Sequence, residues 1–406
     1  MGALEIILPD DVCAVMDALA AAGFRGYLVG GSLRDMLRGE TPHDFDLTTN
    51  ATPEQMLSAF AAFRTIPTGL RHGTLTVLSG KYPVEVTTHR VDGAYTDSRH
   101  PENVRFSASL AEDLSRRDFT INAMAWSRET GIVDLFGGVE DLAAGILRAV
   151  GDPERRFEED ALRILRLFRF AAQLDFEIDP ATACGAAAKA PGLARISAER
   201  VFSELSRLLI GKAAARGMAE LCSCGCVPAV FGDAEPDLSL LPALESLSAD
   251  PAVRLAALLL PHGEERARRL CRDLRTSNAF SHTVCGVIAA ASENPPQNEF
   301  EARRFVCTYY ESWRAALSVL AAKGKNVTEC AALCNRVTKD GTAVDLHRLA
   351  VNGVQLQQQA GIRVEKTAKT LRYLQELVWR EPQTNKKAAL LAAAAAYAQK
   401  EESENE

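Results

Sequence analysis

The spacing of apolar residues changes once along this chain, near Pro153, and that change limits the folds open to it. Before it, short β-like runs (GYLVGG, GTLTVLSG, YPVEVTTHR, FTINAMAWS, IVDLF) alternate with helical stretches and hold most of the turn signals, the pattern of an α/β domain. After it, apolar residues recur at helical spacing through LCSCGCVPAV, RLAALLLPH, the 300–325 region and KAALLAAAAAYAQK, with few β-branched runs. The expected class is therefore α+β: one α/β region at the N-terminus and an all-α remainder. Breaks near Pro180, Pro228, DAEPDLSLLP, ENPPQNEF and Asn352-Gly353 divide the helical part into smaller units, and no internal repeat is visible. The last residues, 401–406, read EESENE, a disordered acidic end.

A chain of 406 residues, 47% of them hydrophobic, can bury more than one core, which sets aside disorder of the whole. No stretch reaches the roughly eighteen uninterrupted apolar residues of a spanning helix. The N-terminal MGALEIILPDDVCAVMDALAAAGF carries acids among its apolar residues and has no basic flank. A soluble cytoplasmic protein without membrane contact is expected. Ten cysteines show no disulfide framework, and reduced thiols are expected. Cys222, Cys224 and Cys226 cluster, but they lack a CxxC pair, and no histidine falls between Phe170 and Pro261 to complete a tetrahedral set. A net charge of −7 argues against a nucleic-acid ligand, yet its distribution argues for one. Arg155, Arg156, Arg163, Arg166 and Arg169 crowd one segment, and Arg348, Arg363, Lys366, Lys369, Arg372, Arg380, Lys386 and Lys387 outweigh the acids near the C-terminus.

A phosphate cradle is legible in LVGGSLRDMLRG. An apolar strand runs into Gly30-Gly31, which permit close backbone approach, and Ser32 is placed to cap a helix whose first N–H groups would face an anion. Most Gly-Gly pairs are plain turns, and this one gains weight from TPHDFDLTT, which follows. Asp44 and Asp46 fall two apart in a strand pattern, so alternation puts both carboxylates on one face, with backbone positions about 6–7 Å apart. Such a pair repels and, in isolation, reads as a solvated strand face. Behind a glycine-rich strand-to-helix turn it reads as a metal site. Mg2+ takes one or two carboxylates plus substrate phosphate oxygens, and two ions about 3.5–4 Å apart serve both the attacking and leaving oxygens of a displacement. Glu85, in YPVEVTTHR, is the candidate third acid, with an exposed strand glutamate as the plain alternative.

A glycine pair, a helix and then Asp-x-Asp resembles the polymerase-β-type nucleotidyltransferase superfamily. SLAEDLSRRDFTINAMAW, GIVDLFGGVEDL, RRFEEDALRILRLFRFAAQLDF and ISAERVFSELSRLL narrow the resemblance. In order, they are similar to the second to fifth motifs of class II tRNA nucleotidyltransferases and bacterial poly(A) polymerases, over about residues 24–210. The resemblance implies a polymerase-β-type catalytic head over 1–147, a helical neck over 148–212 with a nucleobase-reading helix, a helical body over 213–325 and a tRNA-binding tail over 326–400. Two Mg2+ ions on Asp44 and Asp46 are expected, and Glu85, read from its place on the neighbouring strand, is the candidate third catalytic acid. CTP and ATP are the implied substrates and tRNA the partner; no protein partner is inferred. Nucleotide contacts are implied at Gly30, Gly31, Ser32, Arg34, Arg117, Arg166 and Arg169, while Asp118 and Asn122 organise the site.

The fourth motif also makes chemical sense. Asp160 and Arg163, three apart on an expected helix, are surface neighbours that in isolation read as a salt bridge. A carboxylate offers only acceptors and a guanidinium only donors. Cytosine presents an amino donor beside the N3 acceptor, and adenine an amino donor beside N1, so one Asp–Arg pair can read both. Guanine and uracil present a carbonyl beside a ring N–H and would set acceptor against acceptor. The resemblance makes Asp160 and Arg163 this amino-acid template.

These motifs do not separate CCA addition from poly(A) synthesis or from CC-only or A-only addition. HRVDGAYTDSRHPENVRF has the polar composition of a mobile loop, with Asp97 and Arg99, and the resemblance ties such a loop to the complete CCA reaction. The acidic net charge and the lack of a long basic extension weigh against a poly(A) polymerase. The retained GG, DxD, RRD and ED-x-x-R weigh against an inactive RNA-binding relative. No His-Asp dipeptide occurs outside His43-Asp44, so no appended phosphohydrolase is expected.

Overall fold

A computed structural model describes residues 6–92 and 104–403, and the chain divides into two compact units, Met1–Asp233 and Ala234–Glu406. The first unit is built on strands β1 (Gly26–Val29), β2 (Phe45–Thr49), β3 (Arg64–Gly69), β4 (Thr74–Ser79), β5 (Tyr82–Thr88), β6 (Arg90–Asp92), β7 (Val104–Phe106), β8 (Met124–Ser127) and β9 (Gly131–Asp134). Seven of these form one sheet in the order β3-β4-β5-β2-β1-β8-β9, in which only β2 and β5 pair in parallel. The β6–β7 hairpin stands apart. Asp97 and Arg99, the loop residues singled out above, lie outside the described residues.

Helix α1 (Asp10–Ala21) buries Val12, Val15, Met16 and Leu19, spaced i, i+3, i+4, i+7, against one face of the sheet. Phe45 and Leu47 of β2 and Val84 and Val86 of β5 point into that core. Each such side chain contributes about 1.5–3 kcal/mol when fully buried. Their alternation sends Asp46 and Glu85 to the opposite face, and a slip of one residue in register would bury both acids.

The turn from β1 into α2 (Gly30–Leu37) depends on Gly30, which has φ +68°. A Cβ there would also lie 3.3 Å from Arg117 Nη1 and 3.6 Å from Asp46 Oδ2, so the backbone passes between the two walls of the cavity described below. Ser32 does not cap α2 as expected. The helix starts two residues earlier, at Gly30, leaving Ser32 inside it, where its hydroxyl donates to Val29 O at 2.9 Å and accepts from Asp46 N at 3.4 Å. It therefore ties the turn to β2. The third motif has a structural role: Asp134 accepts from the N–H groups of Phe136, Gly138 and Val139 at the start of α5 (Gly138–Ala144).

Two helices follow, α6 (Pro153–Glu159) and α7 (Leu162–Leu174). Asp160 was expected on one helix with Arg163 but lies in the break between them, with extended φ −144° and ψ 104°. Its Oδ1 accepts from Leu162 N at 3.0 Å, a side-chain bond that competes with helix continuation and opens α7 instead. Helix α9 (Ala198–Leu209) packs on α7 through Val201, Leu205 and Leu208. In the second unit, helices between Pro251 and Lys339 enclose Phe305, Trp313 and Leu317, and those between Gly353 and Ser403 enclose Leu356, Leu374, Val378 and Leu390. Among the described residues, no helix is long and apolar enough to cross a membrane.

Candidate active site

β2, the α2 turn, the Arg116–Asn122 segment, α7 and α9 enclose a cavity of about 470 Å³ within the first unit. Seven arginines and four aspartates line it, leaving an excess of three positive charges. That volume lies within the ~300–1,000 Å³ of ligand sites, and the charge suits a polyanion. Gly30, Gly31, Arg34, Asp44, Asp46, Arg117, Asp160, Arg163, Arg166 and Arg169 all reach it; Glu85 and Ser32 do not.

On the strand wall, Asp44 immediately precedes β2 and is exposed, and Asp46 is half-buried. Neither carboxylate has a hydrogen-bond donor among the described residues. Burial, then Asp44, then Glu85 push Asp46 up to about 6, and the Arg117 guanidinium only partly offsets them. Glu85 stands directly opposite Asp46 across the β2–β5 ladder. Among the described residues no three acids, histidines or cysteines are grouped to hold a metal ion together, and the Glu85 charge is one of the causes that raise Asp46. The unneutralised Asp44–Asp46 pair fits a divalent cation whose remaining ligands come from phosphate and water.

The helix wall is the reverse. Asp118 is buried, and its Oδ2 accepts from Arg166 Nε and Nη2 at 2.8 and 2.5 Å. Its Oδ1 accepts from Asn122 Nδ2 at 3.1 Å, and Asn122 Oδ1 in turn accepts from Arg34 Nη1 at 2.9 Å. Burial alone would raise Asp118; Arg166 and the bond from Asn122 overcome it and hold the carboxyl far below its usual range. Asp113, fully buried, receives Arg116 at 2.6 Å and Arg117 at 3.2 Å. Against the opposing effect of burial, these two hold it down to about 2.

The expected template residues face the cavity but do not bond each other. Arg163 donates to Glu159 at 2.9 Å and to Arg116 O at 2.9 Å, and Asp160 Oδ2 accepts from Arg200 Nη2 at 3.0 Å. Arg169 contacts Glu204 at 2.6 Å, an ion pair whose Nε lacks hydrogen-bond alignment, and burial draws this arginine down to about 10. Arg117 Nε and Arg200 Nη1 are also buried without a hydrogen-bond acceptor.

Arg200 and Phe170 line the cavity without having been singled out from sequence. The clue to α9 was Glu204, a charged residue inside the apolar stripe Val201, Leu205, Leu208, a position that calls for a buried cation.

Family models match two stretches of the chain. One described as "Poly A polymerase head domain" matches residues 26–148, and one described as "Probable RNA and SrmB- binding site of polymerase A" matches residues 175–239. A CCA-adding enzyme of Leuconostoc mesenteroides is 47% identical over 208 residues, 51% of each chain. One from Streptococcus suis is 37% identical over 349 residues, 85% of each chain. The crystal structure of the Bacillus stearothermophilus CCA-adding enzyme in complex with CTP superposes with a TM-score of 0.84 at 28% identity, covering 98% of this chain and 100% of that one.

Proposed function

Because this chain belongs to the CCA-adding enzyme family, we propose that it builds and repairs the 3′-terminal CCA of tRNA from CTP and ATP, releasing pyrophosphate at each addition, in the cytoplasm. One observation carries this reading: a single cavity holds an unneutralised acid pair on one wall and the Asp160 and Arg163 side chains on the other.

Asp44 and Asp46 would hold Mg2+, two ions by the chemistry of the reaction, which would supply activation of the primer 3′-hydroxyl and neutralisation of charge at the leaving pyrophosphate. The arginine-rich wall takes the triphosphate, with Arg34 and Arg117 nearest the glycine turn and Arg166 and Arg169 on α7. Asn122 and Asp118 hold Arg34 and Arg166 in fixed positions, so little ordering is left to the binding step. Asp160 accepts from the exocyclic amine of cytosine or adenine, and Arg163 donates to the adjacent ring nitrogen. Their present partners, Arg200 and Glu159, keep both side chains at the cavity until a base arrives. Glu85 sustains the negative potential at Asp46 from the next strand. The helical tail over 326–400 contacts tRNA phosphates through its basic residues.

The test is the product made on tRNA lacking its 3′ end with CTP, ATP or both. Terminal CCA from both nucleotides is expected. Long A tracts from ATP alone on unstructured RNA would overturn the proposal in favour of poly(A) synthesis.

A further inference from the structure

Three guanidiniums close on one aromatic ring at the back of the cavity. Arg169 Cζ lies 4.0 Å from the centroid of Phe170, Arg34 Cζ 5.3 Å and Arg166 Cζ 5.4 Å. Arg34 belongs to α2, whereas Phe170, Arg166 and Arg169 belong to α7, so the ring joins the glycine-turn helix to the helix beside the template residues. Phe119 meets Phe170 edge-on, with centroids 5.8 Å apart at 85°, and fixes the plane of the ring.

Each guanidinium is anchored on another side by an acid: Arg34 by Asp35, Arg166 by Asp118 and Arg169 by Glu204. Asp118, through Asn122, already ties Arg166 to Arg34, but no hydrogen bond among the described residues ties either of them to Arg169. The shared ring does. Its negative face attracts each cation yet takes up none of a guanidinium's five N–H donors, unlike a carboxylate. Like charges that would otherwise spread apart are thereby held together with donors left for a ligand.

We infer that Phe170 is a positioning residue that sets the mutual spacing of Arg34, Arg166 and Arg169, and through them the grip on the phosphate chain of the incoming nucleotide. The inference rests on the proposed function and adds to it a residue that touches arginines rather than the base. It therefore separates phosphate affinity from base choice, because Asp160 and Arg163 make no ring contact with Phe170.

The experiment compares Phe170→Leu with Phe170→Tyr, measuring KM and kcat for CTP and ATP, the Ki of inorganic tripolyphosphate, and competitive incorporation of all four nucleotides. Phe170→Leu should raise both KM values and the tripolyphosphate Ki by a common factor, roughly five- to thirtyfold. The fall in kcat should be smaller, and the preference for C and A should persist. Phe170→Tyr keeps the ring face and should return all three constants to within about twofold of wild type. If the leucine variant proves too unstable to assay, Phe170→Met, which fills the space without a ring, carries the same expectation. Unchanged KM and Ki in the ringless variants, or equal losses in the leucine and tyrosine variants, would overturn the role of the ring. Failure of the wild-type protein to make CCA would instead overturn the proposed function.

Discussion

The two walls of the cavity handle carboxylates in opposite ways. On the strand wall Asp44 and Asp46 have no donor among the described residues, and burial with neighbouring acids raises Asp46 to about 6. Asp118 on the helix wall, and Asp113 buried behind the cavity lining, are more deeply buried, yet both are held low because arginines meet them directly. Burial therefore does not decide the outcome; the neighbours do. The unsatisfied acids are suited to an ion that arrives with substrate, whereas the satisfied ones fix arginines in place. Acids of the same type are left open to a cation on one wall and locked to arginines on the other.

The largest effect belongs to the strand wall. Asp44→Ala or Asp46→Ala should reduce both C and A addition by at least about a thousandfold, because each removes half of the proposed metal ligand set. Stability should not fall with activity. Asp46 has a raised folded pKa, so its ionisation costs stability as pH rises from about 4 through about 6. Asp46→Asn should therefore match the metal-free wild type near pH 4 and melt at a higher temperature at pH 7. Mg2+ at ten times its Kd should stabilise the wild type by about 1.4 kcal/mol, and Asp46→Asn by much less. A variant with near-normal turnover, or one that loses stability at pH 7, would erase the contrast between the walls.

The helix wall predicts the opposite sign. Asp118→Ala leaves Arg166 without its carboxylate and Asn122 without its acceptor, at a cost of about 2–3 kcal/mol in urea unfolding. Because the folded pKa of Asp118 is depressed, its contribution is fully present above the unfolded value near 4 and is lost as pH falls further. Wild type and variant should converge in strong acid and differ most at neutral pH. Equal stabilities at pH 7 would show that Asp118 is no scaffold.

Between these extremes lie Asp160 and Arg163, the proposed template residues. Asp160→Ala removes the acceptor for the amino group of cytosine and adenine, a charge-assisted bond worth roughly 1.5–3 kcal/mol, so preference for C and A over U and G should fall about ten- to a hundredfold. Arg163→Ala should relax selection from the donor side. Competitive incorporation of four nucleotides on tRNA lacking its terminal residues measures both. Unchanged preference in both variants would place base reading elsewhere in the cavity.

The class of fold, the glycine turn and the acid pair were legible in sequence because they depend on local pattern, whereas the arginines of the cavity wall were legible only through the resemblance of the motifs. Alternation in DFDLTT fixes which face of β2 carries the acids, and Gly30 is needed at a positive φ beside Asp46 and Arg117. The contacts that decide pairing were not legible. Asp160 and Arg163 look like partners three residues apart, but the side chain of Asp160 opens α7 and the pairing passes to Arg200, forty residues on, and to Glu159. Phe170 reads as one more apolar residue in an amphipathic helix, and its place among three arginines depends on α2 being brought against α7. Ser32 was misread for a related reason: cap position depends on where a helix begins, and the positive φ of Gly30 begins it two residues early.

Glu85 offers the finest division between the two kinds of carboxylate. It faces Asp46 across a parallel ladder and is exposed, so it resembles the unsatisfied acids, yet it does not reach the cavity. If it acts only through charge, Glu85→Gln should lower the pKa of Asp46 and reduce turnover by no more than about tenfold, because unit charges at such separations near a surface exchange on the order of 1 kcal/mol. That loss should shrink as salt is added, and the concentration of Mg2+ giving half-maximal rate should rise only slightly. A direct metal ligand would behave otherwise: its replacement would approach the loss seen for Asp46→Ala, would be insensitive to salt and would be partly recovered at high Mg2+. A salt-screened loss of a few fold would leave the strand wall with two ligands and one electrostatic neighbour, whereas a thousandfold loss would make Glu85 a third ligand and require the β2–β5 face to close around the metal.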